Sequence, residues 1–189
     1  MPLADSALRG DRTSLPAAGK GGHGRRLEEL RDVPVLALFG ERGAGKSVAL
    51  LLECQALEAA QAAPRWVNLG RCQTESQVRS ALADAAEAQG AGEWWVFLDS
   101  VDEGLNVLPA LGGLIADWID SLPADQRGRV RLRVSCRTGR WPDILQDTLT
   151  RHWPERLQVQ HMILTPLSAS DVAVAAENSG LDAEVFTSG

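Results

Sequence analysis

Residues 40 to 47 read Gly-Glu-Arg-Gly-Ala-Gly-Lys-Ser, three glycines and one lysine set between two apolar runs. The chain's 19 basic residues include only two lysines, Lys20 and Lys46, so a lysine here is a selected residue type. Gly40, Gly43 and Gly45, with Ala44 between the last two, let the backbone curl until consecutive N–H groups face inward. A helix beginning at the end of such a loop adds its partial positive charge. Lys46 supplies a compact cation on a flexible stem, where a planar guanidinium would crowd a closed loop. This is the pattern G-x-x-x-x-G-K-[ST], and it stands where that pattern has meaning, after an expected strand and at the start of an expected helix. The chemistry is phosphate binding, with Lys46 reaching the terminal phosphates and the Ser47 hydroxyl on Mg²⁺. The alternative is a glycine-rich turn that precedes a helix by accident, a match expected about once in a thousand chains of this composition.

A phosphate loop needs a metal partner, and hydrolysis also needs a group that orients water. The stretch WWVFLDSVDE offers both. Four apolar residues, Trp95 to Leu98, suit a buried strand whose end releases Asp99 toward Ser47 if the two strands lie close in one sheet. Asp99 is then the Mg²⁺ holder, through water. Asp102 and Glu103 follow, and a turn brings one of them back toward the γ-phosphate as general base. Taken alone, three acids at a strand end read as a solvated loop. The glycine loop upstream makes the metal reading the better one. A third piece, VSCRTGRWP, puts Ser135 and Arg137 at another strand end, on the sheet edge where the other two motifs emerge. A cation there meets a γ-phosphate, or else Arg137 forms a structural pair with Asp102 or Glu103.

Five short apolar runs are the expected strands: VPVLALF, RWVNL, WWVFL, VRLRVS and LQVQHMIL. They alternate with amphipathic stretches, the signature of βαβ units and a mostly parallel sheet. A first helix, KSVALLLECQALEAA, is opened by the glycine loop. A second starts at the capping-box pattern Thr74-x-x-Gln77 and stops at Gly90. Leu111, Leu114, Ile115, Trp118, Ile119 and Leu122 recur at helical spacing and give a third. Pro142 opens a fourth that ends before Pro154, and Ser168 caps a fifth that stops at Gly180. Residues 1–32 show no apolar period and read as a flexible arm, with a short helix at GRRLEELRD. Residues 33–180 form the expected core, and residues 181–189 begin a following helical segment.

With 189 residues and 44% hydrophobic content, one substantial core is expected. The net charge of -6 argues against a protein that coats nucleic acid, although a local basic patch remains compatible with it. Cys54, Cys72 and Cys136 stand far apart with no CxxC, which fits free thiols in a reducing compartment. No run is long enough for a signal peptide or a membrane span, so a cytoplasmic protein is expected.

Together GERGAGKS, FLDSVDE and SCRTGRWP resemble the NACHT-like branch of the signal-transducing ATPases with numerous domains, the STAND class, which is related to AAA+ ATPases. The most specific piece is LDSVDE. In that branch a small residue, here Ser100, directly follows the metal-binding Asp, and acids return at the positions of Asp102 and Glu103. Typical AAA+ proteins place the catalytic Glu where this chain has Ser100. The resemblance runs from Val33 to Gly180 and includes LTPLSASDV. It implies an α/β three-layer P-loop NTPase fold with strand order 5-1-4-3-2 and helices on both faces. It also implies an ATP/ADP switch with Mg²⁺, in which Lys46, Ser47, Asp99, Glu103 and Arg137 take their family roles. The family's ADP-clamping helical and winged-helix segments would follow Gly189, so this chain is expected to be the nucleotide-binding core of a larger protein. Its partners are then the other domains of that parent and, on activation, further copies of itself. Bacterial members are often defence ATPases.

The leading expectation is thus a nucleotide-gated signalling switch with slow hydrolysis. The alternatives are an AAA+-like motor or loader engaged with nucleic acid, and a module that holds nucleotide without hydrolysing it. Arg129, Arg131 and Arg133 alternate with Val130, Leu132 and Val134, which makes one strand face cationic unless these arginines pair with helix acids. Nucleic acid is not the expected partner. Trp94, Trp95, Trp118 and Trp141 follow the apolar faces and are expected in the core. No Asn-Lys-x-Asp guanine reader is present, which favours adenine, with its contacts in the N-terminal arm or beyond Gly189.

Overall fold

The computed structural model describes residues 12–13, 27–87, 92–155 and 158–164. Six strands form one sheet: β1 (Arg12–Thr13), β2 (Val35–Phe39), β3 (Arg65–Asn68), β4 (Trp94–Asp99), β5 (Val130–Cys136) and β6 (Val159–Leu164). Their order is β1-β6-β2-β5-β4-β3. Every pairing is parallel. Without β1 this is the expected five-strand order. The edge strand β1 lies in the stretch expected to be an arm, and its two residues pair with Ile163 and Leu164.

The strands read as near-continuous apolar runs because both faces of the sheet are covered. Period-two alternation divides each run between two cores. Val35, Ala37 and Phe39 of β2, with Trp94, Val96 and Leu98 of β4, face helices α2 (Glu75–Glu87), α4 (Leu111–Ser121) and α6 (Asp143–His152). Leu36 and Leu38, with Trp95 and Phe97, face helix α1 (Lys46–Ala59) and a 3-10 turn at Leu27–Leu30. Helix α2 begins with the expected capping box: Thr74 N–H donates to Gln77 Oε1 at 3.2 Å, and Gln77 N–H to Thr74 Oγ1 at 3.3 Å. Two helices were not anticipated: α3 (Val101–Val107) and the short α5 (Ala124–Arg129). Gly90 and the helix expected after Ser168 lie outside the described residues, as do residues 181–189.

The arginines of β5 do not form a cationic face. Arg129 belongs to α5 and bridges Asp125, and Arg131 pairs with Glu93. Arg133 is 1% exposed, because its alternation points it into the α1 side of the core. There its Nη1 donates to the carbonyls of Val33 and Leu132 at 2.9 and 3.0 Å, and its Nη2 to those of Leu30 and Arg31 at 3.0 and 3.2 Å. The guanidinium carbon also lies 4.6 Å from the centre of the Trp95 ring. Burial pulls its pKa down to about 9, partly opposed by the negative charge of Glu53. Glu53 in turn is held by Arg31, whose Nε and Nη2 approach its two carboxylate oxygens at 2.6 and 3.1 Å. This buried network fastens residues 30–33 to β5 and α1, and so fixes where β2 enters the sheet. Trp94, Trp95 and Trp118 are buried as expected, and Trp141 is half-buried against Phe39 at 5.2 Å between ring centres. Among the described residues no helix is long and apolar enough to cross a membrane.

Candidate functional site

Parallel strands deliver all their C-terminal ends to one edge of the sheet, and β5 lies between β2 and β4 at that edge. The loop leaving β2 contains Gly43 at φ 79° and Gly45 at φ 87°, left-handed conformations that glycine adopts without penalty. Gly45 caps α1, and its carbonyl accepts the Ala49 N–H at 2.9 Å. The loop therefore closes directly onto a helix N-terminus, where unpaired N–H groups favour an anion. Lys46 Nζ donates to the carbonyls of Gly40 and Glu41 at 2.8 and 3.0 Å, so the ammonium is held over the loop by two weak acceptors.

Ser47, one residue into α1, donates from Oγ to Asp99 Oδ1 at 2.9 Å. That contact joins the two motifs, as the sequence led one to expect. The same carboxylate oxygen accepts Ser135 Oγ at 2.5 Å, and Oδ2 has Ser100 Oγ at 3.4 Å. Asp99 is buried, so these hydroxyls supply the hydrogen bonds that water would give elsewhere. Ser135 also accepts the Ser100 N–H at 2.9 Å, which makes it a bridge between the ends of β5 and β4.

Ser100 itself is left-handed, at φ 61° and ψ 42°. For a residue with a Cβ this conformation costs about 1–2 kcal/mol. It is held from both sides, by the Ser135 hydroxyl on its N–H and by Gly104 N–H on its carbonyl at 3.0 Å. The kink starts α3 immediately after Asp99 and places Asp102 and Glu103 in the first helical turn. The acids are thus carried back by a helix where the sequence suggested a turn.

The two acids then separate. Asp102 is 5% exposed, accepts the Arg137 N–H at 3.1 Å and lies 3.4 Å from Arg137 Nε. Glu103 is exposed and lines the cleft. Its stem packs on Gly70, in the 3-10 turn after β3, where an added Cβ would stand 3.0 Å from Glu103 Oε2 and 3.1 Å from Ser100 Cβ. Gly70 was not singled out by its sequence, and a lone glycine following a strand is the only signal that could have drawn notice to it. The cleft of about 270 Å³ is lined by Arg42, Gly43, Gly45, Lys46, Ser47, Val48, Ser100, Asp102, Glu103, Ser135 and Arg137. That volume suits a chain of phosphates better than a complete nucleotide.

The donor set is all oxygen at the Ser47–Asp99 contact, one hydroxyl and one carboxylate. This fits a hard cation such as Mg²⁺, which is held by one or two carboxylates plus phosphate oxygens. Among the described residues no group of three or more His, Cys, Asp or Glu could hold a metal alone, so phosphate oxygens and water would complete the shell. Cys54, Cys72 and Cys136 are free and buried, and burial pushes the Cys136 thiol up to about 12, which disfavours its thiolate at neutral pH.

No protein-family model matches the chain, and no curated protein sequence matches it. Solved structures do. The ORC2 protein of Aeropyrum pernix, solved as ADPNP–ADP complexes, aligns with a TM-score of 0.50 at 13% identity, over 80% of this chain and 47% of that one. The Walker-type ATPase PABY2304 of Pyrococcus abyssi aligns with a TM-score of 0.47 at 16% identity, over 84% and 57% of the two chains. The present chain spans about half the length of these neighbours. An all-parallel sheet in this order, a glycine loop opening α1 and the likeness to ORC2 together establish an α/β P-loop NTPase fold.

Proposed function

We propose that this chain binds ATP with Mg²⁺ at the C-terminal edge of its sheet, hydrolyses it slowly, and serves as the switch module of a STAND-type protein. The observation that carries the reading is the meeting of Ser47 and Asp99 at 2.9 Å, beside a lysine that caps its own glycine loop. Backbone N–H groups of residues 43–47 cradle the phosphates. Lys46 exchanges two carbonyl partners for phosphate oxygens, a stronger charge-assisted contact. Ser47 and Asp99 would hold the metal, with Ser135 fixing the carboxylate. When bound, Mg²⁺ supplies charge neutralisation across the terminal phosphates. Glu103, exposed in the cleft and braced by Gly70, orients the attacking water and takes its proton. Arg137 meets the γ-phosphate from the end of β5.

The NACHT-like refinement rests on Ser100. A small residue tolerates the left-handed kink and lets α3 begin at once, which returns the acids to the cleft. The core is taken as residues 33–180, joined by Arg12–Thr13 at the sheet edge and by residues 27–32 against α1, with residues 181–189 as the start of a following segment. Nucleotide state is then passed to other domains of the parent protein and to self-association. The arginine alternation on β5, which had suggested a nucleic-acid motor, is occupied by Glu93, Asp125 and buried carbonyls.

Single-turnover hydrolysis of Mg·ATP tests the assignment. Glu103→Gln should bind ATP as the parent does and hydrolyse it about 10²-fold or more slowly. Parent-like hydrolysis in Glu103→Gln would remove Glu103 from the chemistry.

A further inference from the structure

We propose that Asp102 is a positioning residue for Arg137 and takes no part in activating water. The inference rests on the proposed reading of Arg137 as the group that meets the γ-phosphate. Strand β5 ends at Cys136, so the Arg137 N–H is the first backbone donor beyond the ladder and needs a partner. Asp102 Oδ1 supplies it at 3.1 Å, from the first turn of α3. The other carboxylate oxygen lies 3.4 Å from Arg137 Nε, close enough for an ion pair but too poorly aligned for a hydrogen bond, since Nε is buried with no hydrogen-bond partner.

The two attachments differ in kind. The backbone bond fixes where the chain leaves β5 for the turn closed by Arg140 N–H on the Arg137 carbonyl at 3.1 Å. The side-chain pair only biases the guanidinium, whose side chain keeps 35% exposure in the cleft. A γ-phosphate therefore has to win the far end of the guanidinium, and the near end stays on its anchor. A carboxylate 7% exposed and committed to two groups has no freedom to follow a water molecule. Its neighbour Glu103 is exposed and lines the cleft, with no ion pair of this kind holding its carboxylate among the described residues. The ion pair leaves the remaining donors of the guanidinium for a ligand on its other side.

The test is equilibrium binding of Mg·ATP and Mg·ADP to the full chain carrying Arg137→Ala, Asp102→Ala, Asp102→Asn, or both alanines, with single-turnover hydrolysis alongside. Arg137→Ala should lower the ATP-over-ADP affinity ratio about tenfold, the worth of one charge-assisted contact. Asp102→Ala should lower it comparably, and the double variant should fall no further than Arg137→Ala. Asp102→Asn keeps an acceptor for the Arg137 N–H and should restore much of the ratio. It also guards against a folding defect in the alanine variant. A parent-like ratio in Asp102→Ala, with the ratio lost in Arg137→Ala, overturns the inference alone. A parent-like ratio in Arg137→Ala overturns the reading of Arg137 and the inference with it. Abolished hydrolysis in Asp102→Asn with an intact ratio also overturns it, because Asp102 would then act on water.

Discussion

Arg133 and Arg137 lie four residues apart on one strand and its exit, and they have opposite fates. Arg133 is enclosed, with four carbonyls on its two terminal nitrogens and a tryptophan face beside it. Arg137 keeps a third of its side chain exposed and touches one carboxylate at 3.4 Å. A buried guanidinium is tolerable only when nearly all its donors are matched, and Arg133 meets that condition with the backbone oxygens of Leu30, Arg31, Val33 and Leu132. Just beyond the C-terminal end of the strand the same type of side chain is left with an unfilled donor beside the glycine loop. The contrast teaches that a guanidinium is structural where the backbone surrounds it and available for ligand where the sheet edge opens.

The largest expected effect comes from removing the enclosed member. Arg133→Ala leaves buried carbonyls without donors and opens a cavity beside Trp95. The loss should be roughly 3–5 kcal/mol, read from the urea midpoint. Arg133→Lys should recover little, since one ammonium cannot span four carbonyls. If Arg133→Ala instead lowered nucleotide affinity at unchanged stability, the division between the middle of β5 and its exit would be wrong.

Ser135 lies between them and sharpens the comparison. It faces the same side as Arg133 but belongs to the site, holding Asp99 at 2.5 Å and the Ser100 N–H at 2.9 Å. Ser135→Ala should cost about 1–3 kcal/mol in stability and raise the Mg²⁺ concentration needed for ATP binding. Titration of ATP affinity against Mg²⁺ separates the two effects. A change in stability with an unaltered Mg²⁺ requirement would assign Ser135 to the fold alone.

The smallest effect lies at His161 on β6, packed between Phe39 and Trp141 with a buried Nε2 that has no hydrogen-bond partner. Burial lowers its pKa below the ordinary 6.5. The unfolded chain therefore takes up a proton near pH 6.5 that the folded chain resists, and stability should fall as pH drops below that value, levelling off beneath the folded pKa. His161→Phe should flatten this part of the pH–stability curve. An identical slope in the variant would place the acid sensitivity elsewhere.

What the sequence disclosed follows from how local each feature is. Lys46, Ser47 and the glycines lie in eight consecutive residues, so their geometry is a property of the segment, and the capping box at Thr74 is equally local. The strand order needed the family resemblance, because spacing alone does not say which parallel strands are neighbours. Alternation gave the face of Arg133 but not its burial, because the carbonyls of Leu30, Arg31 and Val33 that match it lie about a hundred residues away in sequence. The roles of Asp102 and Glu103 were left open for the same reason. The folded start of α3 gives the adjacent acids different surroundings, Gly70 against Glu103 and the end of β5 against Asp102.

The central claim is that residues 40–47 bind the phosphates of a nucleotide with Lys46 as the charged contact. Calorimetric titration of Mg·ATP into the parent chain and Lys46→Ala measures it most directly. The account predicts saturable binding to the parent and an affinity lower by about tenfold or more in the variant, whose fold should be intact because, among the described residues, the Lys46 ammonium bonds to carbonyls of its own loop. Equal affinity in the two proteins, or no binding to a folded parent, would contradict it.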